Sequence, residues 1–155
     1  GFMRGYIGLF KALADGTRLR ILKLICESDQ KTCVCELADA LDLPSYQVSK
    51  HLAVLRQSGL VVDDRSGTWV SYEPSEEPAL LRELHEFLRR QVRDPQFDRD
   101  RERLRIRLAL RQEGQCVLGP GHPLAASAYK RAGLGGVRTT ATGDVDDIVE
   151  KEESQ

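Results

Sequence analysis

A chain of 155 residues has room for one packed domain and a tail, and its 41% hydrophobic and 30% charged residues form an ordinary water-soluble balance. It holds no run of about 18 apolar residues, which excludes a membrane-spanning helix. The formal net charge of −1 conceals two opposed segments, nine arginines between Arg89 and Arg111 and six acids between Asp144 and Glu153, so it does not exclude a nucleic-acid partner.

Met3 to Ala14 carries Ile7, Phe10 and Leu13 at helical spacing and predicts a first helix with one apolar face. The stretch lacks a small-residue cleavage site and does not read as a signal peptide. Asp15-Gly16-Thr17 breaks it, with Asp15 or Thr17 able to cap a second helix from Thr17 to Glu27. Leu19, Ile21, Leu22, Leu24 and Ile25 are dense enough for burial on more than one side of that helix, and Cys26 reads as a small core residue. Ser28 to Lys31 is a predicted loop, Thr32 a predicted N-cap, and Cys33 to Leu41 a short helix. Pro44 ends it by disfavouring helical geometry at Leu43.

Ser45 is expected to cap the next helix, which runs to about Gln57 and stops at Gly59. Val48, Leu52 and Leu55 share one face of it, and Tyr46, Gln47, Lys50 and Gln57 the other, flanked by Ser49 and His51. Val54 is the one bulky apolar exception on the polar side. Leu60 to Val62 and Thr68 to Tyr72 read as two short strands joined by the turn residues Asp63 to Gly67. Two paired helices followed by a hairpin predict a mainly α fold with a small β-hairpin, a winged helix-turn-helix. Glu76 to Arg93, with Leu80, Leu81, Leu84, Phe87 and Leu88, and Phe97 to Arg111, with Leu104, Leu108 and Ala109, are two further predicted helices separated at Pro95. They have little core of their own to cover, so the expected use is homodimer pairing through the terminal helices. Past Gly114 the pattern fades, with a helix-compatible LAASAYKRA run and predicted disorder from Gly133. The expected division is 1–113 for DNA binding and dimerisation and 114–155 for a cysteine-bearing, largely flexible tail.

ALADGTRLRIL, CVCELADAL, SYQVSKHLAVLRQSGLV and GTWVSY stand in the order and spacing found in the ArsR/SmtB family, which the chain resembles over about residues 7 to 95. CVCEL resembles the CVCDL segment of the arsenic-responsive branch. The resemblance implies a homodimeric repressor that releases operator DNA when a metal or metalloid binds. A polar helix face suits the major groove, so Tyr46, Gln47, Ser49 and Lys50 are candidate base-reading residues. Ser45 sits where a helix N-terminus can meet a phosphate, His51 is placed for backbone contact, and Arg65 in the wing for phosphate or the minor groove.

Cys33 and Cys35 stand at the predicted start of a helix, whose N-terminus favours negative charge and lowers a thiol pKa. Thiolates are soft donors. Residues two apart do not share a face of a regular helix, so convergence on one ion is expected to need a distorted or unwound first turn. Such a distortion would offer a way to displace the recognition helix. One branch of the family has a third cysteine where this chain has Ala38, and Cys116 in GQCVLG is the candidate replacement, with Cys26 a distant second. The expected inducer is As(III) or Sb(III). Alternatives are a soft metal such as Cd(II) or Pb(II), thiol oxidation, and a winged helix serving only protein contacts. His85 with Glu83 and Glu86 lacks the paired histidines of the zinc-type sites and reads as surface or interface, and His122 as unimportant. No phosphate loop and no cysteine–histidine–acid arrangement supports an enzyme. Four cysteines without a secretion signal imply a reducing, cytoplasmic compartment.

Overall fold

The computed structural model describes residues 2–135. Seven helices and three strands follow one another as α1 (Phe2–Leu13), α2 (Gly16–Glu27), β1 (Thr32–Cys33), α3 (Val34–Leu41), α4 (Ser45–Gln57), β2 (Val61–Asp64), β3 (Ser71–Pro74), α5 (Ala79–Gln91), α6 (Pro95–Leu108) and α7 (Pro123–Arg131). This is a winged helix-turn-helix, mainly helical with a small sheet. Its core gathers around α2, where Ile21, Leu22, Leu24 and Ile25 are buried, as the dense pattern required. Asp15 caps α2 by accepting from the Arg18 N–H at 2.9 Å. Val48, Leu52 and Leu55 anchor α4 to this core, and the half-buried Val54 also packs against it rather than facing outward. Cys26 is a buried free thiol.

Helix α4 ends in a full glycine stop. Gly59 adopts φ +84°, its N–H bonds the Arg56 carbonyl, and the Leu60 N–H bonds the Leu55 carbonyl. The helix begins one residue earlier than the hydroxyl suggested. Pro44 is the N-cap and Ser45 the first helical residue, with no side-chain cap. Similarly Thr32 is no cap. It lies in β1, paired with Tyr72, because β3 offers it a strand partner. The sheet therefore has three antiparallel strands in the order β1-β3-β2 rather than two. Its wing starts later than expected, since Asp64 pairs with Ser71 and leaves residues 65–70 as the loop.

The helices after the wing divide the work differently from the sequence expectation. Helix α5 leaves Leu80 and Phe87 exposed, and α1 leaves Phe2, Met3, Tyr6, Ile7 and Phe10 exposed while burying Leu9 and Ala12. Helix α6 begins at Pro95, pre-set for the first helical position and capped by Asp94, which accepts from Gln96 N–H at 2.8 Å. It packs along α2 and α3 and is covered by α7, with Phe97, Asp100, Arg103, Leu104 and Arg107 buried. The segment after Gly114, expected as a loose tail, turns back over α3, and the helix-compatible run forms α7 with Ala125 and Tyr129 buried. His122 caps α7 through Nδ1, which accepts from the Leu124 N–H at 3.1 Å. Of the disorder expected from Gly133, the part from residue 136 onward lies outside the described residues. Among the described residues no helix is long and apolar enough to cross a membrane.

His85 corrects its surface reading. It is 1% exposed, and neither ring nitrogen has a hydrogen-bond partner. Burial, reinforced by the Arg89 charge, pushes its pKa below the ordinary histidine value. As pH falls through about 6.5 the unfolded chain takes up this proton first, so stability is complete above that pH and declines below it. His85→Leu is expected to raise stability by about 1 kcal/mol and flatten that acid decline, measured by urea unfolding between pH 5 and 7.5.

Candidate thiol site and nucleic-acid interface

Pairing of β1 with β3 fixes the geometry of the first two thiols. It holds Cys33 in extended backbone (φ −91°, ψ 166°), so that Cys33 is the N-cap of α3 and lies outside the helix. Cys35 falls in the first turn. The two sulfurs therefore meet at 3.0 Å with α3 intact, and the unwinding expected from helical periodicity is not needed. Cys33 N–H donates to Glu36 Oε1 at 3.1 Å, which locks the turn. The third thiol arrives from the far side of α6. Gln112 and Gln115 exchange backbone bonds of 3.0 Å, and this tight loop carries Cys116 to 3.5 Å from Cys35 Sγ. All three sulfurs lie within 4.8 Å of one another, Cys33 and Cys35 buried and Cys116 half-buried. All three belong to one chain.

Cys33 is not the acidified thiol expected beside a helix N-terminus. The hydrogen bond with Cys35, together with burial, pushes the Cys33 pKa strongly upward. Burial and the bond with Cys33 push Cys116 up to about 11. At Cys33 the bond with Cys35 and then burial outweigh the helix dipole. Glu36 is fully buried, which works against its charge, yet the Arg111 guanidinium and the Cys33 N–H hold its pKa below the usual carboxylate range.

A ladder of arginines fastens α3 to α6. Arg103 Nε donates to the Ala40 carbonyl at 2.9 Å and Nη2 to the Asp39 carbonyl at 2.7 Å, ending α3, while its guanidinium stacks 3.9 Å from the Tyr129 ring centroid. Arg107, fully buried, pairs through Nε with Asp39 Oδ2 at 2.8 Å and donates to the Leu118 carbonyl at 2.7 Å. Arg111 grips both oxygens of Glu36 at 2.7 Å. Arg20 adds a two-bond grip on the buried Asp100. These residues were not singled out in the sequence. The available signal was the spacing of four between Arg103 and Arg107 on α6, repeated at Arg111 just past its end, opposite Glu36 and Asp39, three apart on α3.

On the opposite side of the helix-turn-helix, α4 presents Tyr46, Ser49 and Lys50 to solvent, with Ser45 and Gln47 half-buried beside them. His51 turns sideways, its Nδ1 3.4 Å from Arg18 Nη1, and burial keeps its pKa below the usual value against the pull of Asp15. Arg65 is exposed in the wing loop, its Nε donating to Asp63 Oδ2 at 2.9 Å. The wing strand β3 pairs with Cys33 through Ser71, so the thiols at the start of α3 adjoin the base of the wing.

Residues 15–62 match the family described as "Bacterial regulatory protein, arsR family". The chain is 51% identical over 69 residues to the "Arsenical resistance operon repressor" of Escherichia coli (strain K12), covering 44% of this chain and 58% of that protein. It is 48% identical over 64 residues to the "Arsenic resistance transcriptional regulator ArsR1" of Pseudomonas putida KT2440, covering 41% and 49%. It therefore spans only about half the length of these first two relatives. With the "Arsenical resistance operon repressor" of Bacillus subtilis (strain 168) it shares 37% identity over 75 residues, 48% of this chain and 70% of that protein.

The chain belongs to the arsR family. Its arsR segment runs from the N-cap of α2 to the start of β2 and so contains both helices of the helix-turn-helix and the pair Cys33 and Cys35. Cys116, α6, α7 and the arginine ladder lie outside that arsR segment.

Proposed function

We propose that this chain is a homodimeric transcriptional repressor acting in the cytoplasm, which binds operator DNA and releases it when As(III) or Sb(III) is captured by Cys33, Cys35 and Cys116. The observation that carries the reading is the meeting of three thiols, from two segments 81 residues apart, at 3.0 and 3.5 Å beside the first turn of the helix-turn-helix. The names of the arsR-family relatives point the same way. In the division of labour proposed here, residues 1–113 bind DNA and dimerise, and residues 114–155 supply the third sulfur. The exposed apolar side chains of α1 and α5 supply the pairing surface.

The chemistry favours a trivalent metalloid over a divalent cation. Arsenous acid brings its own leaving groups: As(OH)3 and three protonated thiols give As(SR)3 and three waters, with no change in net charge. Raised thiol pKa values therefore cost this ligand nothing. Cd(II), Pb(II) or Zn(II) must instead expel protons that Cys33 and Cys116 hold tightly. Bonding the three sulfurs to one atom ties the Cys116 loop to the start of α3, and α3 packs directly against α4. That packing is the route by which capture would reach the recognition helix.

On the DNA side, Tyr46, Gln47, Ser49 and Lys50 read base edges, and Ser45, His51 and Arg65 meet the backbone. A two-fold dimer calls for half-sites about one helical turn apart. The Cys35–Cys116 contact also allows a disulfide, the observation behind a redox-sensing alternative. Protonated thiols are poor reductants of peroxide, which weighs against it.

The test is release of the reduced protein from its own promoter DNA, followed by fluorescence anisotropy. Arsenite and antimonite at micromolar concentration are expected to release the DNA, with Zn(II) and Cd(II) needing far more. Release by peroxide without release by arsenite would establish the redox alternative. Failure to bind the promoter even at low salt would remove the DNA reading altogether.

A further inference from the structure

Arg111 carries no sulfur, yet its guanidinium bonds residues on both sides of Cys33 and its backbone leads into the Cys116 loop. Nε and Nη2 donate to Glu36 Oε2 and Oε1, each at 2.7 Å. Nη1 donates to Gln30 Oε1 at 2.7 Å, and Nη2 also reaches the Lys31 carbonyl at 2.6 Å. Glu36 in turn accepts the Cys33 N–H and sits one residue from Cys35. In the other direction the chain runs from Arg111 into the Gln112–Gln115 loop and so to Cys116. One planar group thus ties together the entry to β1, the first turn of α3 and the root of the Cys116 loop.

We propose that Arg111, acting through Glu36, is a positioning residue of the thiol site: the pair holds the three sulfurs at capture distance before a ligand arrives. This rests on the trio being the metalloid site and adds a residue that touches no ligand. The physical case is preorganisation. A three-sulfur site assembled from two remote segments binds weakly if ordering those segments must accompany capture. Arginine suits the task because its fork meets both carboxylate oxygens and two further acceptors at once. A lysine ammonium is a point charge and cannot hold that plane. Without Arg111 the Glu36 carboxylate is left buried against the Cys33 turn with no counter-charge, and the turn and loop separate. None of the partners of Arg111 lies on α4, so the loss falls on ligand capture.

The experiment uses the full reduced chain, arsenite as the probe, and the sulfur-to-arsenic charge-transfer absorbance as the signal, with promoter binding measured in parallel. Arg111→Gln is expected to weaken arsenite binding by roughly 10–100-fold, the range seen when an outer partner of a ligand is removed. Glu36→Gln, which keeps the acceptor for Cys33 N–H, should weaken it in the same range. The double variant should lose no more than the worse single, because both act through one contact. Arg111→Lys should recover part of the loss. Unchanged arsenite affinity in both singles, or additive losses, would overturn the proposal. So would a parallel fall in promoter affinity and melting temperature in both singles, which marks a merely structural role. Failure of the unmodified chain to take up arsenite removes the thiol reading and this proposal with it, whereas normal uptake with unaffected variants removes this proposal alone.

Discussion

Cys35→Ser is expected to abolish release of operator DNA by arsenite while leaving operator affinity within about twofold. Cys35 is the middle member of the trio, with one neighbouring sulfur at 3.0 Å and the other at 3.5 Å. A serine hydroxyl nearly matches the thiol in shape but is a hard, neutral donor that a soft metalloid does not select. Cys33 and Cys116 remain within 4.8 Å of one another, but two thiols leave a trivalent metalloid without its third sulfur. The loss should exceed the roughly 10–100-fold that follows removal of an outer partner. The measurement is an anisotropy titration of operator-bound protein with arsenite, alongside direct uptake. Release at wild-type arsenite concentrations would eliminate the thiol reading. Loss of operator binding in the absence of arsenite would show that Cys35 is structural, its burial then being part of how α3 packs rather than of how it senses.

The second large effect concerns stability. Arg107 is fully buried, and its partner Asp39 is nearly so, with 10% of its side chain exposed. Asp39 also accepts the Gly121 N–H at 2.8 Å, so one carboxylate joins α3 to α6 and to the chain leading into α7. Arg107→Ala leaves that carboxylate buried without its counter-ion and leaves the Leu118 carbonyl with only the weak Cys116 S–H donor. Removing one partner of such a pair costs on the order of 3–5 kcal/mol. The expected result is a fall in melting temperature of roughly 10 °C, with the transition still cooperative. Replacing both partners at once, Arg107→Met with Asp39→Leu, should recover much of it, since a buried pair exchanged for apolar groups of similar volume is often neutral. A loss below about 1 kcal/mol in Arg107→Ala would mean that α6 is not fastened to α3 through this residue.

Elements set by local chemistry were legible in the sequence. The turn at Pro44, the glycine stop at Gly59 and the apolar faces of α2 and α4 depend on residues a few positions apart, and all are present where periodicity placed them. Elements that depend on distant partners were not. Strand β1 is two residues long and exists because β3 lies beside it, so Thr32 looked like a cap. That strand also decides the site, since it lifts Cys33 out of the helix and lets two sulfurs meet that helical periodicity alone keeps apart. The arginines of α6, and Arg111 just beyond it, were legible only as a basic segment. Arg99, Arg101 and Arg105 are exposed, whereas Arg103, Arg107 and Arg111 turn inward because Asp39 and Glu36 wait on α3. Thiol acidity at Cys33 failed for a related reason: the dipole of a helix is a local quantity, but the bond with Cys35 and the burial that outweigh it are set by the fold around the helix end.

The short loop from Gln112 to Leu118 carries one of the three sulfurs. It contributes nothing to the recognition helix, the wing or the exposed apolar sides of α1 and α5. Under the proposed function, the donor on this loop and the DNA-facing helix α4 sit on separate segments of one small chain. Lengthening the loop, or exchanging Cys116 for another donor, is then expected to change which ligand is captured while the preferred DNA sequence stays the same.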